Sequence, residues 1–134
     1  MGMREILFRG KSELFGWIEG WYCPEVKWGD HHFGVGISHK TEQGWLEDTE
    51  VVSETVGQYT GLTDKNGKKI FEGDIVRNGD YTMIVVWYDF HAAFMLAFRV
   101  DGDYFEAMSN SHIYLEVIGN IHDNPELLRG KDDG

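Results

Sequence analysis

The sequence predicts a mainly β protein, in which an N-terminal β-rich region is followed by a small SH3-like antiparallel barrel and a short C-terminal helical turn. Three observations predict this fold class. Short apolar runs are rich in Val, Ile and aromatic residues, Gly, Asn and Asp interrupt these runs repeatedly, and the periodicity of an amphipathic helix is scarce. The 134 residues fit one domain, or one domain with a substantial extension.

The second half of the chain contains the clearest strands. Asn78-Gly79 separates apolar runs at 75–77 and 80–88, which predicts a hairpin whose Asn-Gly pair adopts the positive φ values of a type I′ turn. Further strands are predicted over 92–100, 104–108 and 115–121. Five short strands of this kind suit a small barrel that closes to remove its edges. Asn124 is the predicted N-cap, and Pro125 the first residue, of the C-terminal helical turn.

The first half of the chain is less regular. Strands are predicted over 5–9, 15–22, 32–37 and 49–52, with glycines between or within them. A polar turn over 63–68, in which Asn66-Gly67 supplies the left-handed positions, joins the two halves. We therefore divide the chain into a β-rich region over 1–61, a small barrel over 62–128 and a loose C-terminal tail over 129–134.

The composition excludes several classes of protein. The formal net charge is −11 and both halves are negative, whereas a surface for phosphate backbones needs clustered Lys and Arg. Cys23 is the only cysteine, so an intrachain disulfide is impossible. No apolar run is long enough for a signal peptide or a transmembrane helix. We therefore expect a cytoplasmic protein that does not bind a membrane.

Three stretches of sequence carry a family resemblance. The block QYTGLTDKNGKKIFEGDIV at 58–76 resembles the signature of the YopX family of phage and prophage proteins, and MREILFR at 3–9 and EVIGNIHDNPELL at 116–128 lie where that family has similar motifs. The resemblance implies a β region before a small barrel, a phage or prophage origin, and action in the cytoplasm of a bacterial host. It implies no activity, and therefore no catalytic or binding residues.

The signature block has a structural and a functional interpretation. In the structural interpretation, its residues pack in the core, form a turn and begin a strand. On the functional one, Asp64, Glu72 and Asp74 form a cation site or an acid/base group, although the glycine spacing does not fit a calcium-binding EF-hand loop. We favour the structural interpretation for Tyr59, Gly61, Asp64, Asn66, Gly67, Glu72, Gly73 and Asp74.

Metal and nucleophile chemistry receive little support. His31, His32 and His39 lie close together in the sequence, but adjacent residues of a strand point to opposite faces and cannot easily share one ion. Cys23 has no cation beside it before Lys27, which favours a buried, inert thiol. No nucleotide-binding motif is present. We therefore predict no metal, no cofactor, no catalytic residue and no enzymatic activity.

The aromatic residues carry most of the functional information. Four of the five tryptophans lie within residues 17–45, which makes this segment the candidate interaction surface. Its members are Trp17, Trp21, Trp28 and Trp45. Core packing or a protein interface is favoured over a platform for stacking bases, because Lys27 is the only cation between residues 12 and 39.

Two hypotheses on function follow. The leading one is a non-enzymatic accessory protein that binds an unidentified host or phage protein, or a second copy of itself. The alternative is a nucleic-acid-binding small barrel, or an acidic mimic of nucleic acid.

Overall fold

A computed structural model of the chain describes residues 6–89, 92–98, 105–108 and 111–128. The chain divides into two compact units, Met1–Tyr59 and Thr60–Gly134. Antiparallel strands and short 3-10 turns make up the regular structure of both units, and the described residues contain no α-helix. The mainly β prediction is therefore confirmed. The predicted loose tail over 129–134 lies outside the described residues.

The first unit is built on one antiparallel sheet and one small hairpin. The sheet has the strand order β6-β5-β2-β1-β7, and β3 pairs only with β4. The strands are β1 (Phe8–Ser12), β2 (Gly16–Cys23), β3 (Lys27–Trp28), β4 (His31–His32), β5 (Gly36–Lys40), β6 (Leu46–Glu50) and the beginning of β7 (Gly57–Thr63), with a 3-10 turn at Ser53–Thr55 before β7.

The core of the first unit is small, and one edge of its sheet is acidic. Ile37 of β5 is fully buried, and Val26 and Val51 are buried beside the strands. Strand β6 is an edge strand of the sheet, and most of its residues are exposed, including Glu47 and Asp48. Charged residues on an edge strand oppose the addition of a further strand.

The second unit contains a hairpin and a five-stranded antiparallel sheet. The end of β7 pairs with β8 (Lys69–Phe71), and the sheet has the order β12-β11-β10-β9-β13. Its strands are β9 (Asp74–Asn78), β10 (Tyr81–Tyr88), β11 (Ala93–Ala97), β12 (Phe105–Ala107) and β13 (Glu116–Asn120), with 3-10 turns at Ser111–Tyr114 and Pro125–Leu128. The core consists of Ile70, Val76, Met83, Val85, Leu96, Met108 and Leu115.

The sheet of the second unit is open. Strands β12 and β13 are its two edges, and within the described ranges they do not pair with each other. A barrel would require that pairing. Strand β12 has three residues and pairs only with β11, while β13 pairs with β9 and carries a register shift between Val117 and Gly119. The five predicted strands of this half are present, but the predicted SH3-like closure is not found among these residues.

The best-defined hairpin has a different turn from the predicted one. Asn78 pairs with Tyr81, so the turn residues are Gly79 and Asp80. Gly79 has a φ of 59°, and Ala92 is the only described non-glycine residue with a positive φ. A type I′ turn needs two positive values, whereas a type II′ turn needs one, at its first central position. The predicted hairpin is confirmed and the predicted type I′ turn is wrong, because Asn78 completes the ladder of β9.

Two strands predicted in the first half are also placed differently. The backbone N–H of Val26 donates to the carbonyl of Gly34 and the N–H of Phe33 donates to the carbonyl of Val26, which extends the β3–β4 hairpin to residue 34. The predicted strand over 32–37 is therefore split between β4 and β5. The strand predicted over 49–52 begins earlier, at Leu46, and ends at Glu50.

Candidate functional site

The four candidate tryptophans of the first unit do not form its core. Trp28, at the tip of the β3–β4 hairpin, is 79% exposed, and Trp45, which precedes β6, is 64% exposed. Trp21 of β2 is also exposed, and Trp17 at the start of β2 is half-buried. All four side chains therefore have surface that is accessible within this unit.

Two of these tryptophans meet at one groove. Trp17 and Trp45 line an open groove of about 770 Å³ together with Phe15. Trp21 and Trp28 are not among its lining residues. The structure thus brings together half of the predicted interaction surface, and it adds Phe15, which the sequence analysis did not single out.

A tight loop between β5 and β6 places Trp45 at the groove. The backbone N–H of Thr41 donates to the carbonyl of Trp45 at 2.8 Å, and the N–H of Gly44 donates to the carbonyl of Thr41 at 2.9 Å. With Gly44 at a φ of 96°, this is a type I turn closed by a left-handed residue. The loop reverses the chain, so that Trp45 returns alongside Lys40 and Thr41.

The β1–β2 hairpin presents Phe15. Ser12 pairs with Gly16, and the Ser12 hydroxyl accepts hydrogen bonds from the backbone N–H groups of Leu14 and Phe15, both at 3.2 Å. The tip is fixed locally, yet the Phe15 side chain is 70% exposed. An apolar Leu-Phe pair between Ser12 and a glycine is unusual for a turn. That departure is the sequence signal that could have identified Phe15.

The charged residues that line the groove are mainly acidic. They are Glu19, Glu42, Glu47 and Lys40. The His39 ring lies 2.8 Å from the hydroxyl of Thr49. The Arg9 guanidinium stacks on the Trp17 ring, with 4.7 Å between its central carbon and the ring centroid. The groove therefore combines aromatic surface with negative charge.

In the second unit, Asp64 of the signature block acts as a hydrogen-bond hub. Its side chain is only 5% exposed. Oδ1 accepts from the backbone N–H groups of Asn66 at 2.8 Å and Lys68 at 2.9 Å, and Oδ2 accepts from that of Val117 at 2.9 Å. Burial alone would raise the pKa of Asp64, but these hydrogen bonds and the charge of Lys68 outweigh it and hold the pKa below its usual value.

Other residues of the signature block also have contacts or backbone angles that stabilise the fold. Tyr59 is buried, in the first unit, and its backbone N–H donates to the carbonyl of Leu7. Asp74 is buried in the second unit, where its Oδ2 accepts from the N–H of Phe71 at 2.8 Å. Gly61, Gly67 and Gly73 have positive φ values. These contacts support the structural interpretation of the block.

A family model described as "YopX protein" matches residues 22–129 of this chain. The chain belongs to the YopX family. The matched range includes the signature block and Trp45, while Phe15 and Trp17 precede it. No curated protein matches the chain.

One solved structure shares the fold of this YopX chain. It is described as "Crystal structure of protein EF1440 from Enterococcus faecalis" and has a TM-score of 0.55 and 23% sequence identity, over 94% of this chain and 99% of that chain. At this level of identity the similarity concerns the fold alone. In the described part of the YopX chain, no helix is long and apolar enough to cross a membrane.

The histidine cluster and the cysteine of this YopX protein form separate local contacts. His32 lies 3.1 Å from the Glu25 carboxylate, whereas His39 contacts Thr49. The Cys23 thiol is buried and donates to the Glu25 carbonyl at 3.3 Å. Among the residues whose structure is described, no three His, Cys, Asp or Glu side chains are grouped so as to hold a metal ion.

Proposed function

We propose that this YopX-family chain is a phage- or prophage-encoded, non-enzymatic module that binds another protein through the groove lined by Phe15, Trp17 and Trp45. One observation carries the proposal: Phe15 and Trp45, both largely exposed, converge with Trp17 on a single groove. Large exposed aromatic side chains that gather at one place are typical of interface centres. A host or phage protein is the partner class that this surface fits.

The charge of the groove favours a protein over a nucleic acid. A platform for single-stranded nucleic acid combines stacking aromatics with a positive channel that follows the phosphates. Here Glu19, Glu42 and Glu47 face the same groove as Lys40. Among the described residues, the strands of the second unit do not close into the small barrel that was expected of a nucleic-acid binder.

Replacing Trp45 with alanine will abolish capture of the partner. The tagged full chain is used to capture proteins from a lysate of its bacterial host, and a captured protein is then purified and its Kd measured. Truncation of a central aromatic residue costs about 2 kcal/mol or more, or a Kd about 30-fold weaker. Phe15→Ala should weaken the same complex.

Trp28→Ala is the matched control, because Trp28 is more exposed than Trp45 and lies outside the groove. It should bind the partner with the affinity of the original chain and keep the original stability. Equal binding by the chains with Trp45→Ala and Phe15→Ala would contradict the proposal. So would a partner that proves to be DNA or RNA, or self-association through the groove.

A further inference from the structure

We infer that the groove recognises an arginine-bearing segment of the partner, with the guanidinium group stacked on Trp45 and paired with the carboxylates of Glu42 and Glu47. This inference rests on the proposed function and names the chemistry of its partner. Its motivation is the coincidence, in one groove, of exposed indole surface and an excess of negative charge.

Charge complementarity selects a cationic occupant. Glu42 and Glu47 line the groove beside Trp45, and these three residues lie within six consecutive positions that the β5–β6 loop folds back on β5. The net charge of −11 attracts a basic segment from a distance and raises its association rate. An acidic segment would be repelled by the carboxylates of Glu42 and Glu47.

The first unit already shows how an arginine stacks on an indole. Arg9 lies over the ring of Trp17 with its guanidinium carbon 4.7 Å from the ring centroid, a distance at which a cation is attracted by the electrons of an indole. Trp45 offers a second indole on the groove and is 64% exposed. A partner arginine can therefore repeat on Trp45 the stacking that Arg9 makes on Trp17.

Arginine fits this arrangement better than lysine. The guanidinium group is planar, so it can stack on an indole and at the same time present its N–H donors to carboxylates at its edge. A lysine ammonium is a compact, strongly hydrated charge without a flat face. The pairing of Trp45 with flanking carboxylates consequently predicts a preference for arginine beyond simple attraction between opposite charges.

A peptide-binding measurement tests this inference. A short fluorescein-labelled peptide in which arginine alternates with serine is titrated with the full chain at low ionic strength, and its fluorescence anisotropy gives Kd. We expect binding that weakens about two- to fivefold on Trp45→Ala, as loss of a cation–π contact at an exposed site requires. Glu42→Gln and Glu47→Gln should each weaken binding severalfold, and added salt should weaken it further.

Matched controls separate recognition from bulk charge. Glu54→Gln changes the net charge by the same amount but lies outside the groove, so it should leave Kd within about twofold. A peptide with citrulline, which is neutral and of nearly the same shape, should not bind. A lysine peptide should bind several times more weakly than the arginine peptide.

Three outcomes would overturn the inference. The first is that the arginine peptide does not bind, and the second is that the arginine and lysine peptides bind with equal Kd. The third is that Glu47→Gln and Glu54→Gln change the Kd of the arginine peptide equally. If the arginine peptide fails while Trp45→Ala still loses the captured protein, the proposed function stands and the arginine assignment falls. If Trp45→Ala affects neither the peptide nor the captured protein, both fall.

Discussion

Asp64→Asn will lower the free energy of unfolding of the second unit by about 3 kcal/mol at neutral pH. Asparagine has the shape of aspartate but only one acceptor oxygen. Its one oxygen can accept either from the backbone N–H groups of Asn66 and Lys68 or from that of Val117. The NH2 group then faces the remaining buried backbone N–H, which has no acceptor. The free energy of unfolding falls because one buried N–H has no acceptor and because none of the three hydrogen bonds remains charge-assisted.

Urea denaturation of the full chain, followed by far-ultraviolet circular dichroism, measures this change. Hydrogen exchange should accelerate at the amide of Lys68 or at that of Val117, because the amide that faces the NH2 group loses its acceptor. Asp30→Asn is the control: Asp30 is an exposed turn residue, and its replacement should stay within about 0.5 kcal/mol. Similar losses for the two variants would show that Asp64 is not a hub.

The effect of Asp64→Asn will also depend on pH. The pKa of Asp64 is lower in the folded protein than its ordinary value of 3.8, so the ionised carboxylate stabilises the fold. That contribution is complete above pH 3.8 and is lost as the pH falls toward the folded pKa. The difference between the original chain and the variant should therefore shrink in acid. A difference that grew in acid would contradict the hydrogen-bond account.

Gly20→Ala will destabilise the first unit by about 3 kcal/mol or more. Gly20 lies in β2, where an added Cβ would be 2.1 Å from the backbone oxygen of Ser38 and 3.0 Å from Cγ2 of Ile37. The Ser38 oxygen belongs to the neighbouring strand β5, so it can move only if the β2–β5 ladder separates. Ile37 is fully buried, which prevents relief on that side.

Tryptophan fluorescence during urea denaturation suits this measurement, because four of the five tryptophans lie between residues 17 and 45. Gly34→Ala is the matched control. Its added Cβ would meet only the end of the Glu50 side chain, at 3.1 Å, which can rotate away. We expect the control to unfold near the original midpoint, and coincident midpoints for the two variants would refute the predicted clash.

Local signals predicted much of the fold. The hairpin around Gly79 follows from alternating apolar residues on either side of a turn, and the C-terminal turn does begin at Pro125. The carbonyl of Asn124 accepts from the N–H of Leu127, but its side chain accepts from Asn120 instead of a helical amide. Local signals did not decide the predicted barrel closure, which is not found among the described residues, because closure depends on pairing between strands distant in sequence.

The groove shows the same limit. Sequence clustering identified the tryptophan-rich segment, but only the register of the first sheet decides which side chains meet. Trp17 and Trp45 line one groove although strands β3, β4 and β5 lie between them in the sequence. Trp28 is nearer to both in the sequence, but it lies at the tip of a separate hairpin. The sequence analysis did not single out Phe15 because it counted Phe15 in the strand predicted over 15–22, whereas β2 begins at Gly16 and Phe15 lies in the preceding turn.

The acidic edge of the first sheet has a consequence for how the protein behaves in concentrated solution. Two copies that met along β6 would bring Glu47, Asp48 and Glu50 of one into the field of the same residues of the other, and this repulsion keeps the molecules dispersed. The repulsion fades as the pH approaches the isoelectric point near 4.8. The acidic edge therefore predicts that association along β6 is least opposed in mild acid.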